Sequence, residues 1–244
     1  MRRSGPPTPS RRTCRLPLSR RTLINFAAET FAIVVLLSAT SGIVDAVAFS
    51  RFGVFVANQT GNLVIVSLSL AKEQPVETQI ASVLALLTFT IGVFIAVLLR
   101  KALLGHTSQA RTRVIMLSME AALIALTGLG VAIWGTQRFA YVAVVMLSLS
   151  QALQAAVVTR IIGLAVQTVV INTALVQSAE AWSVGRRRAS AIAFGTPIGY
   201  LVGAFTGALL LRFPPPTALL SALITAAAAL VIAHVIRVRG GRIE

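Results

Sequence analysis

Charge is what this sequence has least of, and negative charge above all. Of 244 residues only 12% are charged, and Asp and Glu together number 7. Soluble domains carry about 25% charged residues. With 56% apolar residues and a mean hydropathy of +0.85, the chain has too few polar groups to face water all round, which excludes a soluble globular enzyme. Cysteine is almost missing too. Cys14 stands alone in a polar tail, so neither a disulfide framework nor a cysteine metal site can be built. The two histidines, His106 and His234, are far apart in sequence, and no H-E-x-x-H, G-x-S-x-G or phosphate-loop motif occurs. With no ligand set for a metal, no cofactor cradle and no nucleophile beside a base, the sequence does not read as an enzyme.

What is present is apolar length. Eight apolar stretches run at roughly 26–50, 54–71, 80–99, 114–134, 139–159, 163–182, 189–211 and 217–236. A membrane helix needs about 20 mainly apolar residues. Six stretches satisfy this cleanly, whereas 54–71 and 163–182 are broken up by amides and threonines. The expected fold is therefore all-α, a polytopic membrane helix bundle with six full crossings and two short or re-entrant segments; seven or eight crossings is the alternative. Residues 1–21, with four prolines and seven arginines, read as a disordered basic tail, 22–237 as the membrane domain and 238–244 as a short basic tail.

The basic residues choose between these topologies. Lys and Arg number 22, and strong basicity can signal nucleic-acid binding, but here the positive charge flanks apolar runs, so the partner it implies is the lipid bilayer. With the N-terminus inside, eight crossings leave 15 of the 22 inside and 7 outside. If the two interrupted segments instead enter and leave by one face, 18 lie inside and 4 outside (Arg51, Lys72, Arg138 and Arg212). The positive-inside rule favours the second arrangement, with six crossings and both termini cytoplasmic in the inner membrane.

The stretches also repeat. A shift of about 110 residues lays the second half (139–236) over the first (26–134), with Ser41 to Arg51 falling on Ser150 to Arg160 and Thr60-Gly61-Asn62 on Ile171-Asn172-Thr173. An odd number of crossings per half makes the repeat inverted, a common plan of transporters and channels. Irregular backbone at membrane depth survives only where protein or a wet cavity covers it, so the two interrupted segments belong at the centre.

Candidate binding residues follow from that placement. Asp45 lies within the first apolar run, where an aspartate costs about 2.5–3.5 kcal/mol at mid-helix. With Ser38, Ser41 and Gly42 on its side it points into the bundle as a site residue, or else it reaches the headgroups or pairs with Arg51. Asn58, Gln59, Thr60, Gly61 and Asn62 resemble the breakpoint of a discontinuous helix able to hold an ion or small polar solute; the alternative is an ordinary capped loop. Gln151, Gln154, Gln167, Thr168, Asn172 and Thr173 are their second-half counterparts, or else glue between helices. Amides replace the acid there, which suits a polar neutral solute or a cation better than an anion. Glu29, Glu120 and Glu180 are expected to pair with arginines at the interface, Glu120 with Arg113. Gly195, Gly199, Gly203 and Gly207 recur every four residues and build a close-packing face, for the bundle itself or for a homodimer. Pro197 is expected to kink that helix.

The run Ser41-Gly42-Ile43-Val44-Asp45-Ala46, followed by Gly53 to Asn62 (GVFVANQTGN), resembles the signature of the YoaK family of bacterial multi-pass membrane proteins, a domain of unknown function. The likeness extends over about 26–237. It implies an inner-membrane protein with no established activity. The family has Thr-Gly-Thr where this chain has Ile171-Asn172-Thr173, so the two breaks differ in what they offer a ligand. From the residues, the function expected is a transporter or channel-like permease for a small polar solute or cation, with a non-transporting membrane scaffold as the alternative.

Overall fold

The computed structural model describes residues 20–71, 76–157 and 171–240. Eight helices account for nearly all of them: α1 (Arg20–Phe52), α2 (Gln59–Leu70), α3 (Val76–His106), α4 (Gln109–Trp134), α5 (Ala140–Val157), α6 (Ile171–Ser183), α7 (Arg187–Leu210) and α8 (Pro215–Gly240). Six of them, all but α2 and α6, are long and apolar enough to cross a membrane. α2 has only 12 residues, which is too short to span, and the described part of α6 has 13. The polytopic helix bundle expected from the hydropathy rhythm is thus what the chain forms. α1 starts at Arg20, within the stretch assigned to the tail, and α7 runs unbroken through Pro197.

The outside of the bundle is as greasy as its inside. On α3, Leu87, Ile91, Phe94 and Leu98 form an exposed stripe that only lipid tails would cover. Lipid gives helices no hydrophobic reason to associate, so close packing of small residues has to hold them together. The core accordingly is rich in alanine: Ala39, Ala48, Ala85, Ala96, Ala152, Ala156, Ala222 and Ala229 are all buried.

The helix contacts repeat with the sequence. α1 packs on α7, α8 and α5; α5 packs on α3, α4 and α1; α2 lies on α3 as α6 lies on α7, and α4 meets α8. Exchanging each helix with the one four places along returns the same set of pairs, the remaining α3–α4 and α7–α8 contacts included.

Two apolar clusters fill the interior. One joins Val34 and Leu37 of α1 to Met116, Leu117, Leu153, Ala156 and Val157. The other joins Ile43, Val44 and Val47 to Ile124, Val131, Ala143 and Leu147. Between them on α1, α4 and α5 fall buried polar residues: Ser38, Thr40 and Ser41 on α1, Glu120 on α4, and Ser148, Ser150 and Gln151 on α5. A polar layer therefore divides the core at mid-depth.

Candidate functional site

The site is built around the first break in the helical rhythm. α1 ends at Phe52, and Gly53, at φ 69°, turns the chain in a way that a side chain would resist. The backbone then dips back beside α1. Val56 and Ala57 each donate an N–H to Asp45 Oδ1 at 2.7 Å, and Asn58 donates to Oδ2 at 3.1 Å. Asp45 lies seven residues short of the end of α1, about 10 Å along the axis. Phe55 stacks on Phe49 of α1 with ring centroids 4.7 Å apart.

Asn62 closes the loop from the other side. Its Oδ1 accepts the Phe55 N–H at 2.9 Å, and its Nδ2 donates to the Phe55 carbonyl and to Gln59 Oε1. Gly61 is needed here, because a Cβ would run into the Phe55 ring. α2 returns along α3, whose first turn brings Thr78 to Gly53. The segment therefore enters and leaves at one end of the bundle, with the N-terminus of α2 at depth.

The described part of α6 packs against α7. Ser178 Oγ meets Ser190 Oγ at 3.0 Å, Gly185 turns the chain at φ 73°, and Arg187 lies over the Trp182 ring. Counting back from that clasp in an antiparallel pair puts Ile171 at the level of Pro197, midway along α7 and about one turn before Tyr200. Tyr200 itself reaches α1, donating its hydroxyl to Asp45 Oδ2 at 2.7 Å.

The first break and the start of the described part of α6 meet at one cavity of about 300 Å³, lined by Ala57, Asn58, Gln59 and Thr60 from the break, Ile171 and Asn172 from α6, and Phe89 and Tyr200. Thr60 and Ile171 are 111 residues apart, and so are Phe89 and Tyr200. The cavity thus sits where the halves of the repeat face each other.

The expected residues divide into three groups. Asn58, Gln59, Thr60 and Asn172 line the cavity. Asp45, Gly61 and Asn62 lie behind the lining and hold it in shape. Gln151 and Gln154 are elsewhere, at the α1–α5 contact: Ser41 Oγ donates to Gln151 Oε1 at 2.7 Å, while Gln154 Nε2 donates to Ser41 Oγ at 2.8 Å and the Leu37 carbonyl at 3.1 Å. Thr173 follows the lining residues on α6 without joining them. Gln167 and Thr168 lie outside the described residues.

Other expectations resolve just as concretely. Arg51 donates to the Leu211 carbonyl and not to Asp45. Glu120 does not pair with Arg113 at the interface: it is fully buried, and neither carboxylate oxygen has a hydrogen-bond partner. Gly195, Gly199, Gly203 and Gly207 all face α1, where an added Cβ would strike Phe31, the Val35 carbonyl, the Ala39 backbone and the Ile43 carbonyl respectively. The surface that a second copy would need from these glycines is already covered by α1.

Sequence reasoning missed Tyr200 and Phe89. Tyr200 had a signal, a hydroxyl-bearing ring in an apolar helix next to a glycine of the ladder; Phe89 had none beyond its place in the repeat.

Chemically the cavity is uncharged, its amides, hydroxyl and phenol set in a lining that is mostly apolar. Asn58 Oδ1 accepts the Thr60 hydroxyl at 2.7 Å, and the Gln59 amide donates to the Val56 carbonyl at 2.9 Å. Asn58 is the N-cap of α2, yet its side chain caps no backbone N–H. The first N–H groups of a helix have no partner within it, so the α2 terminus offers donors to a ligand. The charge of Asp45 is met by four donors behind this lining.

The geometry can be set beside known proteins. A family model described as "Protein of unknown function (DUF1275)" matches residues 33–236. A stretch of 74 residues is 42% identical to the UPF0700 transmembrane protein YoaK of Bacillus subtilis (strain 168), covering 30% of this chain and 32% of that protein. The match thus spans about a third of the curated relative's length. No solved structure matches. The family match reaches from the middle third of α1 to the last turns of α8 and takes in the first break, α6 and the cavity between them; the chain belongs to this DUF1275 family of multi-pass membrane proteins.

Proposed function

We propose that the protein is a transporter or channel-like permease for a small polar solute, seated in the inner membrane with both termini cytoplasmic. One observation carries the reading: the N-terminal end of α2 and the first described residues of α6, one from each half of the repeat, line a shared cavity at mid-depth. Discontinuous helices meeting at a repeat interface are the usual way a membrane protein presents backbone groups to a solute. Six crossings put three in each half, so the halves run in opposite directions and the cavity lies on the axis relating them.

The lining favours a neutral solute over a cation. Its named side chains are amides, a threonine hydroxyl, a phenol and apolar groups, and the nearby carboxylate already accepts four hydrogen bonds. A volume of about 300 Å³ is at the low end for ligand pockets, which run roughly 300–1,000 Å³.

Proteoliposome uptake of labelled polyols, amides, amino acids and monovalent cations tests this, with Asn58→Ala and Asn172→Ala beside the parent. Losing one hydrogen bond to the solute is worth about 1.4 kcal/mol, so uptake at limiting concentration should fall about tenfold in either variant. If a substrate is found and both variants carry it at the parental rate, the cavity is not the site.

A scaffold without transport is the second reading. It is favoured by the way Asp45, Asn62, Gln151 and Gln154 are all engaged in bonds within the chain. One stoichiometric partner recovered in mild detergent, together with no flux for any probe, would support it.

A further inference from the structure

Glu120 is the most exposed chemistry in the most enclosed place. It lies near the middle of α4, is 0% exposed, and both carboxylate oxygens lack a hydrogen-bond partner. α4 and α5 run antiparallel through a short turn. One apolar cluster joins Ile124 to Leu147, and the other joins Met116 and Leu117 to Leu153 and Val157. Glu120 therefore falls at the level of Ser148 and Gln151, within the polar layer between the clusters. There too polar atoms are left over: Gln151 Nε2 and Ser148 Oγ have no partner, although Gln151 Oε1 is held by Ser41.

Among the described residues no countercharge faces it. α5 carries no charged side chain between Ala140 and Val157. On α8 the titratable and charged groups, His234, Arg237 and Arg239, are near the far end. On α3 they are Glu77 in the first turn and Arg100, Lys101 and His106 in the last two turns. On α4 itself Arg111 and Arg113 are at least seven residues away, about 10 Å or more along the axis. An ionised carboxylate without partner or water is among the least tolerable groups in a low-dielectric interior, so it is neutralised or it does not stay.

We propose that Glu120 is a proton-binding site of the membrane interior, a carboxylic acid in the closed arrangement that releases its proton only when the polar layer opens to water. The released proton passes to water and leaves a carboxylate, so opening is favoured as pH rises. The site is separate from the cavity between the breaks, and it stands whether or not that cavity carries a solute. The folded chain then holds a proton that the unfolded chain has given up at neutral pH, so this group makes stability fall as pH increases.

The test uses the full-length protein in nanodiscs, labelled with carbon-13 in its glutamate carboxyls. Infrared spectroscopy at neutral pH should show a labelled C=O stretch of a protonated carboxyl, lost in Glu120→Gln. The thermal midpoint of the parent should drop from mildly acidic to alkaline pH, and that of Glu120→Gln should drop less. A parent spectrum with no protonated glutamate band overturns the proposal without needing the variant to fold. So does a band that survives in Glu120→Gln. If adding sodium or potassium ions removes the band at constant pH, the site is one for a metal cation and the proposal also fails.

Discussion

The two halves put different residues at the same place in the repeat and hold different things with them. In the first, Asp45 gathers three backbone N–H groups of the loop before α2 in its own half, and the Tyr200 hydroxyl from the other half. In the second, Gln154 turns to the other half and clasps α1 through Ser41 and the Leu37 carbonyl. A carboxylate has only acceptors, so it can collect a loop's worth of donors. An amide has both kinds of group and fits between a hydroxyl and a carbonyl. Repeated architecture thus permits one position to close a break and its counterpart to serve only the contact between the halves.

The largest effects expected concern direction. With Cys14→Ser as background, Ala71→Cys at the end of α2 should label only from the periplasmic side and Ser183→Cys at the end of α6 only from the cytoplasmic side. Labelling of both from one side would break the inverted relation.

Next comes the clamp itself. Asp45→Ala strands several buried donors and should cost at least about 3 kcal/mol in detergent unfolding, each bond to a charged group being worth about 1.5–3 kcal/mol. Gln154→Ala should cost only about 1 kcal/mol, since interhelical bonds in membranes average about 0.6 kcal/mol. Equal losses would erase the contrast between the halves.

Gly203 and Gly92 sharpen it further. An added methyl at Gly203 meets the Ala39 backbone, while at Gly92 it meets the Ala152 and Leu149 side chains. Gly203→Ala should therefore destabilise by about 2–3 kcal/mol and Gly92→Ala by about 1 kcal/mol, as overpacking does when the neighbour cannot or can yield. Tyr200→Phe removes a single donor from Asp45 and gives the smallest effect on the clamp, about 1.5 kcal/mol, read by the same unfolding measurement.

Much of this was legible from periodicity alone. Apolar length distinguishes six crossing helices from two short ones, and amides in an otherwise apolar run mark the breaks at Asn58 and Asn172. Four-residue glycine spacing marks a close contact, though the sequence does not name α1 as its partner. Tyr200 was not legible, because its bond to Asp45 spans 155 residues and depends on the depth to which the first loop folds back. Glu120 was misread for a local reason. The apolar run was taken to start at 114, close to the basic loop, whereas α4 begins at Gln109 and carries Glu120 about 16 Å along its axis, beyond reach of the surface. Gln151 and Gln154 looked like site residues because amides serve solutes and helix contacts equally well, and only packing separates the two uses.

The ladder of glycines has a mechanical consequence. Main chain lies against main chain from Gly199 to Gly207, and at Gly42 the fit is returned, since a methyl there would collide with the Tyr200 carbonyl. With no side chains between them to re-sort their rotamers, α1 and α7 have no lubricating layer on which to slide. Any rearrangement that admits a passenger must carry these two as a welded strut and be taken up along softer seams, of which α3 against α5 is the equivalent one.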